Sequence, residues 1–124
     1  MTLDLEGDVA LLQGRWRQVS CEADGVRCPD DGLAGITTFS GHTFTVQSED
    51  GTVLLTGTFS LNAAACPKAI DWTDTIGPDA GKTLPAIYVL EGDNFIFIAA
   101  DEGAQRPTEF RTKGGETMRS FVRC

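Results

Sequence analysis

The charged side chains that could perform acid–base or anion-binding chemistry lie in the second half of the chain: Asp71, Asp74, Lys82, Arg106, Glu109 and Arg111. A neighbouring carboxylic acid and carboxylate can supply a general acid and a general base, and an arginine can hold an anion. Their spacing along the chain does not require these side chains to lie close together in the fold. Exposed positions on strands and loops account for the charges equally well. The only histidine, His42, follows a turn, where a solvated position is typical. These residues therefore identify no catalytic group.

A glycine-rich segment, Gly77 to Thr83, looks similar to a phosphate-binding loop. That motif needs four residues between its glycines and a helix directly after it, because backbone N–H groups and the helix N-terminus hold the phosphates. Here three residues separate Gly77 from Gly81, and the next residues, Leu84 to Ile87, indicate a strand. We therefore predict no nucleotide site and no cofactor, and we assign these glycines to turns.

Four cysteines, Cys21, Cys28, Cys66 and Cys124, allow three disulfide pairings, and the sequence does not choose among them. In a reducing cytoplasm four free thiols are the default. In an oxidising compartment, a bridge from Cys66 to Cys124 is the first to consider, because it would tie the last residue to the body of the domain. No cysteine pair has C-x-x-C spacing, and His42 is the only histidine, so we predict no metal site.

The composition argues against several partners. The formal net charge is −8, and the basic residues are scattered, which disfavours nucleic acid and anionic membranes. No stretch approaches the roughly 18 apolar residues that a membrane-spanning helix needs. Residues 1–6 carry acids where a signal peptide carries positive charge. We therefore predict a soluble, cytoplasmic protein with neither a nucleic-acid nor a membrane partner.

The hydrophobic pattern predicts one all-β domain over residues 1–124 that begins with a short helix. Residues 4–13 have helical spacing at Leu5, Val9 and Leu12, and Gly14 can end the helix. After Gly14 the apolar period is two residues, as in strands. The predicted strands are 15–21, 34–39, 42–47, 53–61, 67–73, 84–91, 94–100, 108–112 and 117–123.

Eight or nine short strands joined by tight turns favour an antiparallel up-and-down barrel, because closure removes exposed sheet edges. A β-sandwich of seven to nine strands is the alternative. The seventh predicted strand is apolar on both faces from Phe95 to Ile98, so its outer face needs a cover. The N-terminal helix or a second subunit would provide one, which leaves a homodimer as an alternative.

Several segments carry a family resemblance. The Leu12–Trp16 segment resembles the G-x-W opening of the calycins, which include lipocalins and fatty-acid-binding proteins. The whole chain more closely resembles the bacterial lipocalin-like domain family first catalogued as an uncharacterised planctomycete domain. That family has no general activity to transfer to this chain. The matching segments are 12–16, 39–41, 57–59, 67–71, 81–84, 87–93 and 106–110.

The resemblance implies an architecture. In calycins the tryptophan of the first strand packs across the closed end of the barrel, under an arginine of the last strand, in a cation–π contact worth about 0.5 to 2 kcal/mol. Trp16 and Arg123, or else Arg119, match these positions and would be structural. Residues 22–33 contain too many glycines and prolines for the two-helix lid of fatty-acid-binding proteins, so a bound fatty acid is not implied.

The remaining aromatic residues suggest a ligand cavity. An eight-stranded barrel is just wide enough to be filled by its own side chains or to hold one small ligand. We predict a protein that binds a small, partly apolar molecule between Trp72, Tyr88 and Phe97, with Arg111 as the polar anchor. One alternative is a cyclase or isomerase that holds a reactive conformer by shape alone. The other is a protein-interaction module that uses the apolar seventh strand.

Overall fold

The described part of the chain folds as an all-β barrel with one short helix. The computed structural model describes residues 7–27, 35–48, 50–62, 64–65, 67–76, 80–112 and 114–124. The elements are α1 (Gly7–Leu12), β1 (Gly14–Ala23), β2 (Val26–Arg27), β3 (Ile36–Ser40), β4 (Thr43–Gln47), β5 (Val53–Asn62), β6 (Ala69–Asp74), β7 (Thr83–Glu91), β8 (Asn94–Ala100) and β9 (Glu116–Arg123).

Antiparallel pairing closes the sheet. The strand order is β2-β1-β3-β4-β5-β6-β7-β8-β9, and β1 also pairs with β9. Eight strands, β1 and β3 to β9, therefore form a closed barrel, and β2 is an additional strand beside the end of β1. The predicted up-and-down barrel is confirmed, and the sandwich alternative is wrong. The predicted helix is confirmed over Gly7–Leu12, and its first three predicted residues lie outside the described part of the chain.

Alternation along the strands fills the barrel with aromatic and aliphatic side chains. In β5, for example, Gly57 and Phe59 are buried, whereas Thr58 and Ser60 are exposed on the outer face. The buried core comprises Leu12, Trp16, Phe39, Phe44, Phe59, Ile70, Trp72, Ala86, Tyr88, Phe95, Ala99 and Phe121. Eleven of these twelve residues come from strands, and Leu12 comes from the helix, which therefore packs against one end of the barrel.

That end is closed by Trp16 and Arg123. The indole Nε1 of Trp16 donates a hydrogen bond to the Leu12 carbonyl oxygen at 2.8 Å. The guanidinium carbon of Arg123 lies 4.2 Å from the centre of the Trp16 ring, and Nη1 of Arg123 donates to the Gln13 carbonyl oxygen at 2.9 Å. Arg123 is thus the arginine over the tryptophan, and it also fixes the end of the helix.

The sequence prediction missed β2. Asp24 and Gly25 join β1 to β2, with φ angles of 51° and 80°. Positive φ at both central residues is typical of a two-residue type I′ hairpin turn, for which Asp-Gly is a favoured pair. The turn signal was therefore present in the sequence, but the strand after it contains only Val26 and Arg27.

The predicted strand at residues 108–112 is wrong. β9 pairs with β8 on one side and with β1 on the other, so the closed barrel has no edge for another strand beside it. The connection from β8 to β9 instead lies against the outside of the barrel. Nη1 of Arg106 donates to the carbonyl oxygens of Ala86 at 2.8 Å and Ile70 at 3.3 Å, and its Nη2 lies 2.7 Å from Asp71 Oδ1.

This connection contributes to the cover over the apolar outer face of the sheet. Ile87 and Ile98 pair across β7 and β8 and are 1% and 0% exposed. Pro107 in the connection is also buried, and Ile87 lies in the same surface depression as Arg106 and Pro107. The cover over Ile87 therefore comes from the β8–β9 connection of the same chain.

The cysteines differ from the expected state. Cys21 is disulfide-bonded, and its partner lies outside the described residues. Cys124 is a free, exposed thiol. The expectation of four free thiols is therefore wrong, and so is a bridge between Cys66 and Cys124.

We expect Trp16→Ala to lower the free energy of unfolding by about 3 to 5 kcal/mol, because it removes a fully buried aromatic side chain from the closed end. Urea unfolding followed by circular dichroism measures the change. Val19→Ala is the matched control, because Val19 lies on the same strand and is 42% exposed. Equal stability losses in the two variants would contradict the role of Trp16 in closing the barrel.

Candidate ligand-binding cavity

The end of the barrel opposite the helix is hollow. A cavity of about 510 Å³ opens there. Its apolar lining combines aliphatic side chains with five aromatic rings, which we call the aromatic floor: Phe39, Phe44, Trp72, Phe97 and Phe121. Small residues such as Gly35, Thr37, Ala99 and Thr117 also line the cavity, and they leave the space that larger side chains would fill.

The rings of the aromatic floor pack against one another. The ring centres of Trp72 and Phe97 are 4.7 Å apart, and those of Phe97 and Phe121 are 5.9 Å apart with nearly parallel planes. Phe39 and Trp72 have ring centres 6.0 Å apart. Trp72 and Phe97, two of the residues proposed from the sequence as cavity walls, therefore lie together in the lining.

Gln18 and Arg119 form a polar wall of the cavity beside the aromatic floor. Nη1 of Arg119 lies 3.3 Å from Gln18 Oε1 and 3.7 Å from Cys21 Sγ, and it donates to both. In regular alternation from Trp16 and Gln18, position 20 would face inward and position 21 outward. A bulge between Gln18 and Ser20 shifts this phase, so that Cys21 is buried opposite Arg119.

Arg119 is a partly buried cation. Its burial lowers the pKa of the guanidinium, which nevertheless stays protonated because arginine titrates far above neutral pH. Within the part of the chain that the structure describes, no carboxylate lies within ion-pair distance of Arg119. Its polar contacts to described residues, an amide oxygen and a sulfur, both use Nη1.

Two further hydrogen-bond donors are buried without an acceptor. Gln18 Nε2 and Trp72 Nε1 have no hydrogen-bond partner among the described residues, and both side chains line the cavity. β6, which carries Trp72, lies four strands from β1 in either direction around the barrel, so the two donors approach the cavity from opposite sides. Buried polar groups in proteins are normally hydrogen-bonded, so these two N–H groups, on side chains that line the cavity, lack the acceptor that such groups usually have.

The rim of the cavity is acidic. Asp74 is the last residue of β6 and Asp101 directly follows β8, and both line the cavity. Asp101 is exposed and Asp74 is half-buried. The polar lining thus changes from hydrogen-bond donors in the interior to carboxylates near the ends of the strands.

Two residues proposed from the sequence lie elsewhere. Tyr88 is buried near the helix, where its hydroxyl donates to Asp8 Oδ2 at 2.7 Å, and it does not line the cavity. Arg111 is exposed in the β8–β9 connection and does not line it either. Arg119, rather than Arg111, is the arginine that lines the cavity. The signal for Arg119 was present, since it alternates with Phe121 along β9.

The other charged candidates do not assemble into a site. Asp71 and Arg106 form an ion pair outside the barrel, and Glu109 and His42 are exposed. In the glycine-rich segment, residues 77–79 lie outside the described part, and β7 begins at Thr83, so a strand follows the segment rather than a helix. Among the described residues, no group of three or more His, Cys, Asp or Glu residues could hold a metal ion.

Comparisons with known proteins give no further guide to this cavity. No protein-family model, curated protein sequence or solved structure matches the chain. None of the helices in the described ranges is long and apolar enough to cross a membrane. The function therefore has to be argued from the geometry of the cavity.

The contact between Asp8 and Tyr88 predicts a pH dependence of stability. Burial alone would raise the pKa of Asp8, but hydrogen bonds from Tyr88 and Lys68 and the Lys68 charge outweigh it and hold that pKa below its usual value. Ionised Asp8 therefore stabilises the fold above the pKa of its unfolded state, about 3.9, and this contribution is lost as the pH falls through the folded-state pKa.

We therefore expect wild type to lose more unfolding free energy than Asp8→Asn when the pH is lowered through this range. Urea unfolding at a series of pH values between 6 and about 2 measures the two slopes. Glu102→Gln, at an exposed position, should follow the wild-type slope. Parallel wild-type and Asp8→Asn curves would show that the Asp8 contacts do not stabilise the fold.

Proposed function

We propose that this protein binds a small, partly apolar molecule in the cavity of its barrel. The observation that carries the proposal is a cavity of about 510 Å³ that combines an aromatic floor with a few buried polar groups. Sites for small molecules typically measure about 300 to 1,000 Å³ and have this same mixture of apolar lining and sparse polar groups. Apolar ligand surface buried on the floor contributes roughly 25 cal/mol per Å².

The closed end supports a lipocalin-like assignment. Arg123 lies 4.2 Å from the Trp16 ring centre, which is the arrangement that the resemblance to lipocalin-like domains implies. With α1 and Trp16 filling one end, the ligand enters from the other, past the rim of Asp74 and Asp101. We propose membership of that family on this basis.

Binding is favoured over catalysis by the polar residues of the lining. They are Gln18, Thr37, Asp74, Asp101, Thr117 and Arg119. Among the described residues, no histidine, lysine or free thiol lines the cavity. The two carboxylates of the lining lie at the rim rather than on the aromatic floor. A binding site needs only shape and a few oriented polar groups, which this cavity has.

The cysteine state bears on the cellular compartment. Disulfides persist in oxidising compartments and are rare in the cytoplasm. The disulfide at Cys21 therefore favours an oxidising compartment over the cytoplasmic location predicted from the sequence.

Uptake of the neutral fluorophore N-phenyl-1-naphthylamine tests the proposal. We expect saturable fluorescence enhancement with one site per chain. Ala99→Phe places a phenyl group in the cavity and should weaken binding about tenfold or more. The matched control, Thr58→Phe, adds the same ring at an exposed position of β5 and should bind as wild type does.

Two results would overturn the proposal. One is the absence of saturable uptake by folded wild type. The other is equal binding by Ala99→Phe, Thr58→Phe and wild type, which would place the fluorophore outside the barrel. Circular dichroism of each variant shows whether it is folded before its binding is compared.

A further inference from the structure

We propose that the ligand is an organic acid whose anionic group binds Arg119 inside the barrel, with Gln18 and Trp72 as additional hydrogen-bond donors. This inference rests on the proposed function, because it names the class of molecule that the same cavity takes. The proposed ligand carries its acid group on an apolar body, because the aromatic floor lies directly beside Arg119.

The first argument is the chemistry of the polar groups. Arg119, Gln18 Nε2 and Trp72 Nε1 are all donors, and the latter two are buried without an acceptor in the described residues. The amide oxygen of Gln18 already accepts from Arg119 at 3.3 Å, which turns the amide nitrogen into the available group of that side chain. A ligand that satisfies this interior must therefore supply acceptors, and a carboxylate has about four acceptor positions.

The second argument is charge. Burying an unpaired cation is costly, and an anion held against it restores the electrostatic balance. Across the described ranges no carboxylate forms an ion pair with Arg119, whereas Arg106 pairs with Asp71 and Arg123 with Asp93. Burial lowers the pKa of Arg119, which is the sign of this same desolvation. A guanidinium also binds a carboxylate through two parallel hydrogen bonds, which fixes its orientation.

The third argument is position. Arg119 pairs with Phe97 in the sheet, and Phe97 packs on Trp72 with ring centres 4.7 Å apart. Phe97 therefore lies next to Arg119 in the sheet and also packs against the ring of Trp72. Along β9, Phe121 lies one inward position deeper than Arg119, and Thr117 lies one inward position nearer the rim. The acid group thus binds at mid-depth, with apolar surface within its reach.

The acidic rim gives the ligand a direction. Asp101 is exposed where β8 ends, lines the cavity and disfavours an anion at the mouth. An acid is therefore favoured only when its anionic group passes the rim and reaches Arg119. Apolar side chains on the β4–β5 side of the cavity, Val46 and Leu55, remain for the rest of the molecule.

A series of ligands with one skeleton tests the inference by calorimetric titration at neutral pH. The series is 4-phenylbutanoic acid, 4-phenylbutanamide, 4-phenylbutan-1-ol and 4-phenylbutan-1-amine, whose size of about a dozen non-hydrogen atoms suits the cavity. We expect the acid to bind about 100-fold more tightly than the amide or the alcohol, and the amine to bind most weakly.

Variants of the polar wall identify the residues responsible. Arg119→Met keeps an unbranched, flexible side chain and removes its charge, and it should weaken acid binding about 100-fold while changing alcohol binding less than about threefold. Gln18→Glu gives Arg119 a carboxylate partner within the protein, so it should weaken acid binding without removing the arginine. If Arg119→Met does not fold, Gln18→Glu still tests whether Arg119 binds the acid group.

A matched pair of variants tests the tryptophan donor. Trp72→Phe removes a buried N–H group from a side chain that lines the cavity, whereas Tyr88→Phe removes a buried hydroxyl that donates to Asp8 instead. We expect Trp72→Phe to reduce the ratio of acid to alcohol affinity about fivefold or more, and Tyr88→Phe to leave that ratio unchanged.

The outcomes separate this inference from the proposed function. If the alcohol, amide or amine binds as tightly as the acid, or if acid binding survives both Arg119→Met and Gln18→Glu, the inference is overturned and the cavity remains a site for apolar ligands. If neither N-phenyl-1-naphthylamine nor any member of the series binds to folded wild type, the proposed function itself is overturned.

Discussion

β1 and β9 meet along seven residue pairs, from Trp16 opposite Arg123 to Ala23 opposite Thr117. This pairing closes the sheet, and it sets both ends of the barrel. At one end it places Arg123 over the Trp16 ring, 4.2 Å from its centre, and at the other it places Cys21 opposite Arg119. The bulge after Gln18 belongs to the same pairing and brings Gln18 and Cys21 onto the side of Arg119. Closure and the polar wall are therefore two consequences of one interaction.

Local patterns were enough to predict most of the barrel. The alternation of apolar and polar residues in strands such as Val53–Asn62 is strong because one face is buried and the other is exposed to solvent. The prediction failed where a strand depends on its partner. Residues 108–112 have strand-like alternation but no free edge to pair with, because β9 is already between β8 and β1. Val26–Arg27 has too few residues to show a pattern, although its Asp-Gly turn was visible.

The candidate site was partly predictable for a similar reason. Aromatic residues at inward positions, such as Trp72 and Phe97, follow directly from alternation. How deep a residue lies along the barrel axis depends on register, which the sequence does not contain, and so Tyr88 was assigned to a cavity that lies nearer the other end. The bulge in β1 changes which residues after Gln18 face inward, and the sequence does not show this bulge. Only the structure therefore shows that Gln18 and Cys21 both contact Arg119.

The central claim is that the buried donors of the barrel serve a ligand, and the two indole N–H groups report on it directly. Trp16 Nε1 donates to Leu12 at the closed end, whereas Trp72 Nε1 has no acceptor in the described chain. Nuclear magnetic resonance of ¹⁵N-labelled protein resolves both indole signals during titration with 4-phenylbutanoic acid. Our account predicts that the Trp72 indole proton shifts downfield and saturates while the Trp16 signal stays in place. A stationary Trp72 signal at ligand saturation, or equal shifts of both indoles, would contradict it.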